Sequence, residues 1–566
     1  MSHRLLPLAL LTALAVSPLV YAAPEITTAT FLGTDGDDVI EGVHIASDGT
    51  IYITGTTGKP MDKLPGGVKP VTLGKPFKQK SNYGCGFVAR LSADGRKLLS
   101  YTQLAAGIAQ PTSVAVSKDG VYLAGYANGG LEPLIAGHEP IIAKAQSRQY
   151  DLQTYSTTEH HSEPHIDRAN FGRGVPFVLR LDESMRTIEQ GTFLEGWQSV
   201  WHVPHPLRED RRQPVGLVVM SDGDVVVSHD GGYNRFPDKG EKTGFTHFYG
   251  MPDHLSRLAP DLSTRRWKKD IYTPITDPEK VEKYAAKGSR YWRREKIDWP
   301  HKHLGNTRIL RLRKDSKDNL LIAGWSPTRT SNEPWWSPFL WKLSPEGKLI
   351  WRALNPDPMG GAGDRMGGVV SDTAVRSVNV DGEDNVLYAA IADGGNSPMR
   401  YDIPTSKKQL SKDVLRGSVW AFRGRLLFWG TVARIDGKTR KMQAGNSIAG
   451  LTHDGRPRTQ AAWAMDIGPW TDGQVLTIGR HTRGFKFTEN AWAKSDWGSF
   501  VRVYGKGFPL EFSTSVPDAD LRVMDVRDGR AVIVGKAKSS EAPTRNPLQK
   551  SPAGKWDGYL LVVRAK

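Results

Sequence analysis

One phrase returns seven times along this chain: a short run of alternating apolar residues, a two-residue turn, and a second run of the same kind. It reads Val43-His-Ile-Ala-Ser-Asp-Gly-Thr-Ile-Tyr-Ile-Thr-Gly55 and again Val114-Ala-Val-Ser-Lys-Asp-Gly-Val-Tyr-Leu-Ala-Gly125. Further copies lie around residues 217–228, 309–324, 375–389, 464–479 and 523–535. Their turns are Asp48-Gly49, Asp119-Gly120, Asp222-Gly223, Asp318-Asn319, Asp384-Asn385, Asp472-Gly473 and Asp528-Gly529. Asp, Asn and Gly tolerate the positive φ that a tight hairpin requires, so each phrase predicts two antiparallel strands.

After an interruption of variable length a second hairpin follows, as in Gly86-Phe-Val-Ala-Arg-Leu-Ser-Ala-Asp-Gly-Arg-Lys-Leu-Leu-Ser-Tyr-Thr-Gln-Leu104, with counterparts at 176–194, 254–272, 338–354, 431–444 and 500–515. Two successive hairpins make a four-stranded sheet, the blade of a β-propeller. The turns run from residue 48 to residue 528, a mean spacing of 80 residues. A bare blade needs only about 40–50, leaving roughly 30 per blade for loops. The last blade stops at Asp557-Gly-Tyr-Leu-Leu-Val-Val-Arg564, a third strand without a fourth, whereas the N-terminal stretch Ile26-Thr-Thr-Ala-Thr-Phe-Leu-Gly33 resembles the fourth strands. Pairing the two closes a ring and removes a raw edge. The reading is an all-β, single propeller of seven four-stranded blades across residues 23–566. Strand-like stretches at 417–430 and 447–460 leave eight open.

Phe31-Leu-Gly-Thr-Asp-Gly-Asp-Asp, followed by Ile45-Ala-Ser-Asp-Gly-Thr-Ile-Tyr-Ile-Thr-Gly and by Gly86-Phe-Val-Ala-Arg-Leu-Ser-Ala-Asp-Gly, resembles the bacterial secreted β-propeller repeat (SBBP-type) family over about residues 26–125. The resemblance implies a fold and export, and no particular chemistry.

The first 22 residues read as a secretory signal. Arg4 gives the positive start, residues 5–14 the apolar run, and Val20-Tyr21-Ala22 the small-residue cleavage site. A secreted or periplasmic protein is expected, with no membrane insertion, because no later apolar stretch is long enough to span a bilayer. The single cysteine, Cys85, excludes a disulfide scaffold and a multi-cysteine zinc site. It is read as a packing residue.

In a four-stranded blade the short Asp-Gly turns share one rim. The links from second to third strand, and from each blade to the next, share the other. The long segments 56–85, 127–175, 229–252, 273–305, 392–416 and 480–498 all leave at that second rim, where they are expected to crowd the channel mouth. The segment 273–305 carries Arg290, Tyr291, Trp292, Arg293, Arg294 and Trp299. Aromatic faces interleaved with guanidinium groups, on a chain of net charge +16, suit an anionic ligand with flat faces. An acidic polysaccharide or other anionic cell-surface component is the partner expected, in preference to nucleic acid, bound by a monomer. The bland alternative is that the aromatics glue the insertions down and the arginines are solvated.

An enzyme on the same face, a polysaccharide lyase or hydrolase, would use His161, His202 and Tyr291 as base and acid. Glu159, Glu163, Asp167 and Glu295 offer carboxylates without a diagnostic pattern. His160, His161 and His165 are the candidate ligands for a divalent metal, although no zinc-protease spacing accompanies them. No other cofactor is expected. Asp35-Gly-Asp37-Asp38 has a calcium-like look but lacks the remaining loop ligands and is read as a turn. A protein-interaction scaffold is the third reading.

Overall fold

A computed structural model describes residues 22–76, 84–127, 129–135, 141, 174–195, 200–201, 211–212, 214–229, 233–234, 249–250, 253–271, 308–326, 337–354, 373–393, 410–417, 428–450 and 462–566. Seven four-stranded antiparallel blades form a ring. In chain order the inner strands are Val39–Ile45, Ala109–Ser117, Gly216–Val219, Arg308–Lys314, Thr373–Val380, Ala462–Pro469 and Ala519–Arg527. Each touches the inner strand before and after it, and the seventh touches the first. Among the described residues no eighth blade forms; most of 417–430 and 447–460 lies outside them, and Leu415–Gly417 lies along blade 5 as a fifth, parallel strand. Among the described residues no helix is long and apolar enough to cross a membrane.

The turns behave as their residues require. Gly49, Gly120 and Gly223 take φ of 85°, 134° and 91°, and in the Asp-Asn turns the aspartates Asp318 and Asp384 take 61° and 59°. The glycine that ends most of the phrases has a different cause. In six blades the inner strand carries a bulge, at Glu41, Thr112, Leu310, Arg376, Met465 and Arg522. A Cβ at the paired residue would meet the inner strand's backbone oxygen at 2.0 Å for Gly55, 2.2 Å for Gly125, 1.7 Å for Gly324, 2.1 Å for Gly479 and 2.0 Å for Gly535. Only glycine admits that approach, which blade 5 relaxes enough to accept Ala390.

Among the described residues the core consists mainly of seven apolar clusters, one between each pair of neighbouring blades, with a small eighth across blades 4 to 6. Sheets covered on both faces need strands that are apolar throughout. Gly120–Ala127 is buried along its whole length, and Asp557–Arg564 all but its last residue. The outer strand Arg265–Ile271 alternates instead, because one of its faces meets water.

The N-terminal strand Glu25–Leu32 completes blade 7 by pairing with Asp557–Arg564, from Glu25 opposite Arg564 to Leu32 opposite Gly558. Phe31 is fully buried, its ring 5.2 Å from that of Tyr559. Truncating this ring should be felt by the whole closure. Phe31→Ala is expected to lower stability by about 3–5 kcal/mol, read as a drop in the urea midpoint with unchanged circular dichroism at zero denaturant. A loss below about 1 kcal/mol would show that the closure contributes little.

Candidate functional site

The insertions leave the sheets at the rim opposite the Asp-Gly turns, as the strand order dictates. Their described portions then run down the outside of their own blades. In blade 1, Val71–Leu73 pairs with the outer strand Leu98–Leu104. In blade 2, Leu131 and Ile135 pack with Phe193 of the outer strand. In blade 6, Thr488 N–H donates to Ser513 O at 3.1 Å and Ser515 N–H to Ala493 O at 3.0 Å. In blade 7, Ala29 and Arg545 exchange two backbone hydrogen bonds, of 2.8 and 3.0 Å. Each insertion thus covers an edge strand that would otherwise offer free N–H and C=O groups. In blade 6, Trp492 lies on Phe512 at 5.2 Å and donates its indole N–H to Pro24 O at 2.9 Å. In blade 6 this tryptophan glues the insertion to its sheet.

His481 roots the blade 6 insertion. Its ring stacks on Phe485 at 4.8 Å, and its Nε2 is 2.9 Å from Ser515 Oγ. Burial pushes its pKa down to about 4, with the Thr482 carbonyl opposing and Arg502 assisting. The folded state therefore sheds this proton while the unfolded chain keeps it. The contribution to stability is complete above the unfolded value of about 6.5 and is lost as pH falls through 4, up to ~3 kcal/mol in all. His481→Gln should flatten the fall in urea midpoint between pH 7 and pH 4 relative to the parent. An equally steep fall would remove His481 from the acid response.

At the insertion-side mouth of the central channel, the bulged residues meet across blades. Glu41 accepts a hydrogen bond from Gln110 at 2.8 Å and lies 3.8 Å from Arg522. Arg522 donates to Asp520 at 2.8 Å, and Arg480 pairs with the same carboxylate. Burial would raise the Asp520 pKa, but the two guanidinium groups outweigh it and hold the carboxyl well below its usual range. This charged arc spans blades 6, 7, 1 and 2. The other side, on blades 4 to 6, is apolar: Trp325, Trp463, Ala374 and Ile391 form one cluster, with Leu310 and Met465 against it. On the rim above, where the blade 6 insertion rejoins its sheet, Trp497 is 59 % exposed.

Deeper in, one carboxylate ties four blades together. Asp466 accepts from Arg311 Nη2 at 2.8 Å, from Met524 N–H at 2.8 Å and from Ser377 Oγ. Arg311 thereby reaches from blade 4 past blade 5 to blade 6. Removing one partner strands a buried charge, at a cost of about 3–5 kcal/mol. Arg311→Ala should therefore unfold much earlier in urea than Arg311→Met combined with Asp466→Leu. Equal midpoints would exclude the stranded charge as the cause.

The sequence-derived candidates His160, His161, His165, His202, Arg290, Tyr291, Trp292, Arg293, Arg294 and Trp299 lie outside the described residues. The strands flanking their segments, ending at Ala127 and Ile271 and restarting at Val175 and Arg308, have those ends at the mouth rim. Among the described residues no group of three or more His, Cys, Asp or Glu stands ready to hold a metal ion. Asp38 accepts from Thr34 N–H at 2.5 Å and Gly58 N–H at 2.7 Å, so it staples a turn, and Asp35 pairs with Lys59 at 2.7 Å. Cys85 is buried and its thiol is pushed up to about 11, chiefly by burial, which leaves it unreactive near neutrality. The reading of the residues missed Trp497, Trp325, Trp463, Arg311 and Asp466. For Arg311 and Asp466 the signal available was a charged residue where the other phrases carry Gly42, Ser113, Gly216, Ser377 and Val523; the tryptophans had none.

No protein-family model matches the sequence, and no curated protein is similar to it. Solved structures with a similar chain course include a protein of unknown function from Dyadobacter fermentans, at 9 % identity and TM-score 0.38, over 96 % of this chain and 99 % of that one. The WD40 propeller domain of Doa1 aligns at 9 % identity and TM-score 0.37, over 95 % of this chain and 97 % of that one. A PL25 ulvan lyase aligns at 9 % identity and TM-score 0.36, over 85 % of this chain and 80 % of that one. Likenesses of that size carry no argument about chemistry. What stands is the architecture: a seven-bladed β-propeller.

Proposed function

We propose that this propeller is exported and binds an anionic extracellular ligand, most simply an acidic polysaccharide, at the insertion-side mouth without transforming it. The observation that carries the reading is an exposed indole, Trp497, two residues before Ser499, whose strand partner Arg480 belongs to the charged arc. An indole face suits the apolar face of a sugar ring, and guanidinium groups suit its carboxylate or sulfate. The surplus of 76 basic over 60 acidic residues adds attraction at long range. The segment bearing Arg290, Arg293 and Arg294 departs from the same rim.

Binding to a panel of anionic glycans at low salt should be saturable and weaken as salt is added. Trp497→Ala, at an exposed position, should leave the thermal midpoint unchanged and weaken binding about fivefold, ~1 kcal/mol for one stacking contact. Changing Arg290, Arg293 and Arg294 together to Ala should weaken it about tenfold or more, three exposed ionic contacts at roughly 0.5 kcal/mol each. Absence of binding across the panel rejects the reading. New reducing or unsaturated ends after incubation would replace binding with a lyase or hydrolase.

A further inference from the structure

The opposite end of the channel, on the side of the Asp-Gly turns, has an electrostatic composition of its own. Each inner strand contributes one residue at a common level, three past the bulge in the six blades that have one, paired in turn with Tyr52, Tyr122, Val226, Leu321, Leu387, Leu476 and Val532. They are His44, Ala115, Val218, Arg313, Asn379, Gly468 and Asp525. Three are small or apolar, and the polar ones stand among them.

His44 and Asp525 are neighbours, Nδ1 to Oδ2 3.8 Å, and both keep about a quarter to a third of their side-chain surface open, 31 % and 27 %. His44 is held below the ordinary histidine range chiefly by burial, opposed by Asp525 and assisted by Arg313 and Arg527. Arg313 belongs to blade 4 and His44 to blade 1, on opposite sides of the ring. Arg311, on the same strand as Arg313, crosses to Asp466 of blade 6, so side chains on that side of the blade 4 strand lead across the channel. Arg311, two residues before Arg313 and so on the same side of the strand, senses both Arg313 and Asp525.

The charges at this end balance in number but not in pairing. Arg311, Arg313 and Arg527 stand against Asp466, Asp525 and Asp528. Asp466 is already engaged as described above. Asp525 accepts from Ile45 N–H at 2.8 Å and from Val526 N–H at 3.1 Å. Arg527 lies 3.7 Å from Asp528, outside the channel level. Arg313 makes one long bond, Nη1 to Leu312 O at 3.4 Å, and among the described residues no carboxylate comes within ion-pair distance of it. The Nε of Arg311 is buried without a hydrogen-bond partner. A guanidinium left without an acidic partner among low-dielectric walls is costly unless something of opposite charge joins it.

We propose that this turn-side vestibule binds one small oxyanion of the phosphate–sulfate class, held by Arg313 and hydrogen-bonded by the His44 ring. The planar guanidinium fork presents two parallel N–H donors at the spacing of two oxygens on a tetrahedral anion. The anion also relieves the repulsion between Arg311 and Arg313. Asp525, with both oxygens turned to backbone N–H groups, sets the upper limit on how much negative charge the site accepts.

Isothermal titration of the mature full-length protein with inorganic phosphate at low ionic strength tests this directly. Saturable binding at one site is expected, with competition by sulfate and none by chloride at equal ionic strength. Phosphate should raise the thermal midpoint. Arg313→Gln should weaken binding at least tenfold and abolish that rise. Arg313→Lys, which keeps the charge and loses the fork, should fall between. Circular dichroism and the melting curve without phosphate establish folding. Should Arg313→Gln not fold, Arg313→Lys and His44→Gln carry the comparison. No saturable binding, equal competition by chloride, or variants that bind like the parent would overturn the proposal. Trp497→Ala should leave phosphate binding unchanged, so failure at the glycan mouth and failure here are separate results.

Discussion

No blade of this protein has a buried face of its own. Every sheet depends on its two neighbours to cover it, and the seven apolar clusters lie in the gaps between sheets. Burial therefore accrues only when the circle is complete. That requirement explains why the last sheet recruits the first strand of the chain, and why second and third strands are apolar on both faces. It also explains the recurring bulge. Seven inner strands converge on one axis, and six of them are bent by the same extra residue at the same level, which forces glycine opposite it in five blades.

Much of this was legible because it is local. Asp-Gly and Asp-Asn pairs announce the hairpins within four residues, and a solitary fourth-strand sequence ahead of the first phrase announces the closure. The destinations of the insertions were not legible. Trp492 and Phe485 look on paper like any aromatic in a long loop, and only a partner strand already in place reveals that they seal an edge. The link from Arg311 to Asp466 joins residues 155 apart in sequence, and no spacing rule connects them. Asp38 carries the opposite lesson: the acidic cluster read as a turn is a turn, because backbone N–H groups already occupy its oxygens.

Basic charge is distributed with care along the axis. At the mouth, Arg480 and Arg522 share Asp520; midway, Arg311 takes Asp466; at the far end, Arg313 has no acidic counterpart among the described residues. The two ends of one channel thus differ in kind. One combines an exposed indole with balanced charge and is broad enough to involve four blades. The other is polar and holds an arginine without an acidic partner among the described residues.

Glu25 sits opposite Arg564, so the chain enters and leaves the ring side by side, at the periphery of the rim that bears the tight turns. A leader, a tether or an appended segment at either terminus would hang from that rim and point away from the insertion-bearing side. Hung from a surface by either end, the molecule would present its tryptophan-bearing mouth outward, and a new opening could be cut elsewhere in the circle once those adjacent ends were spliced.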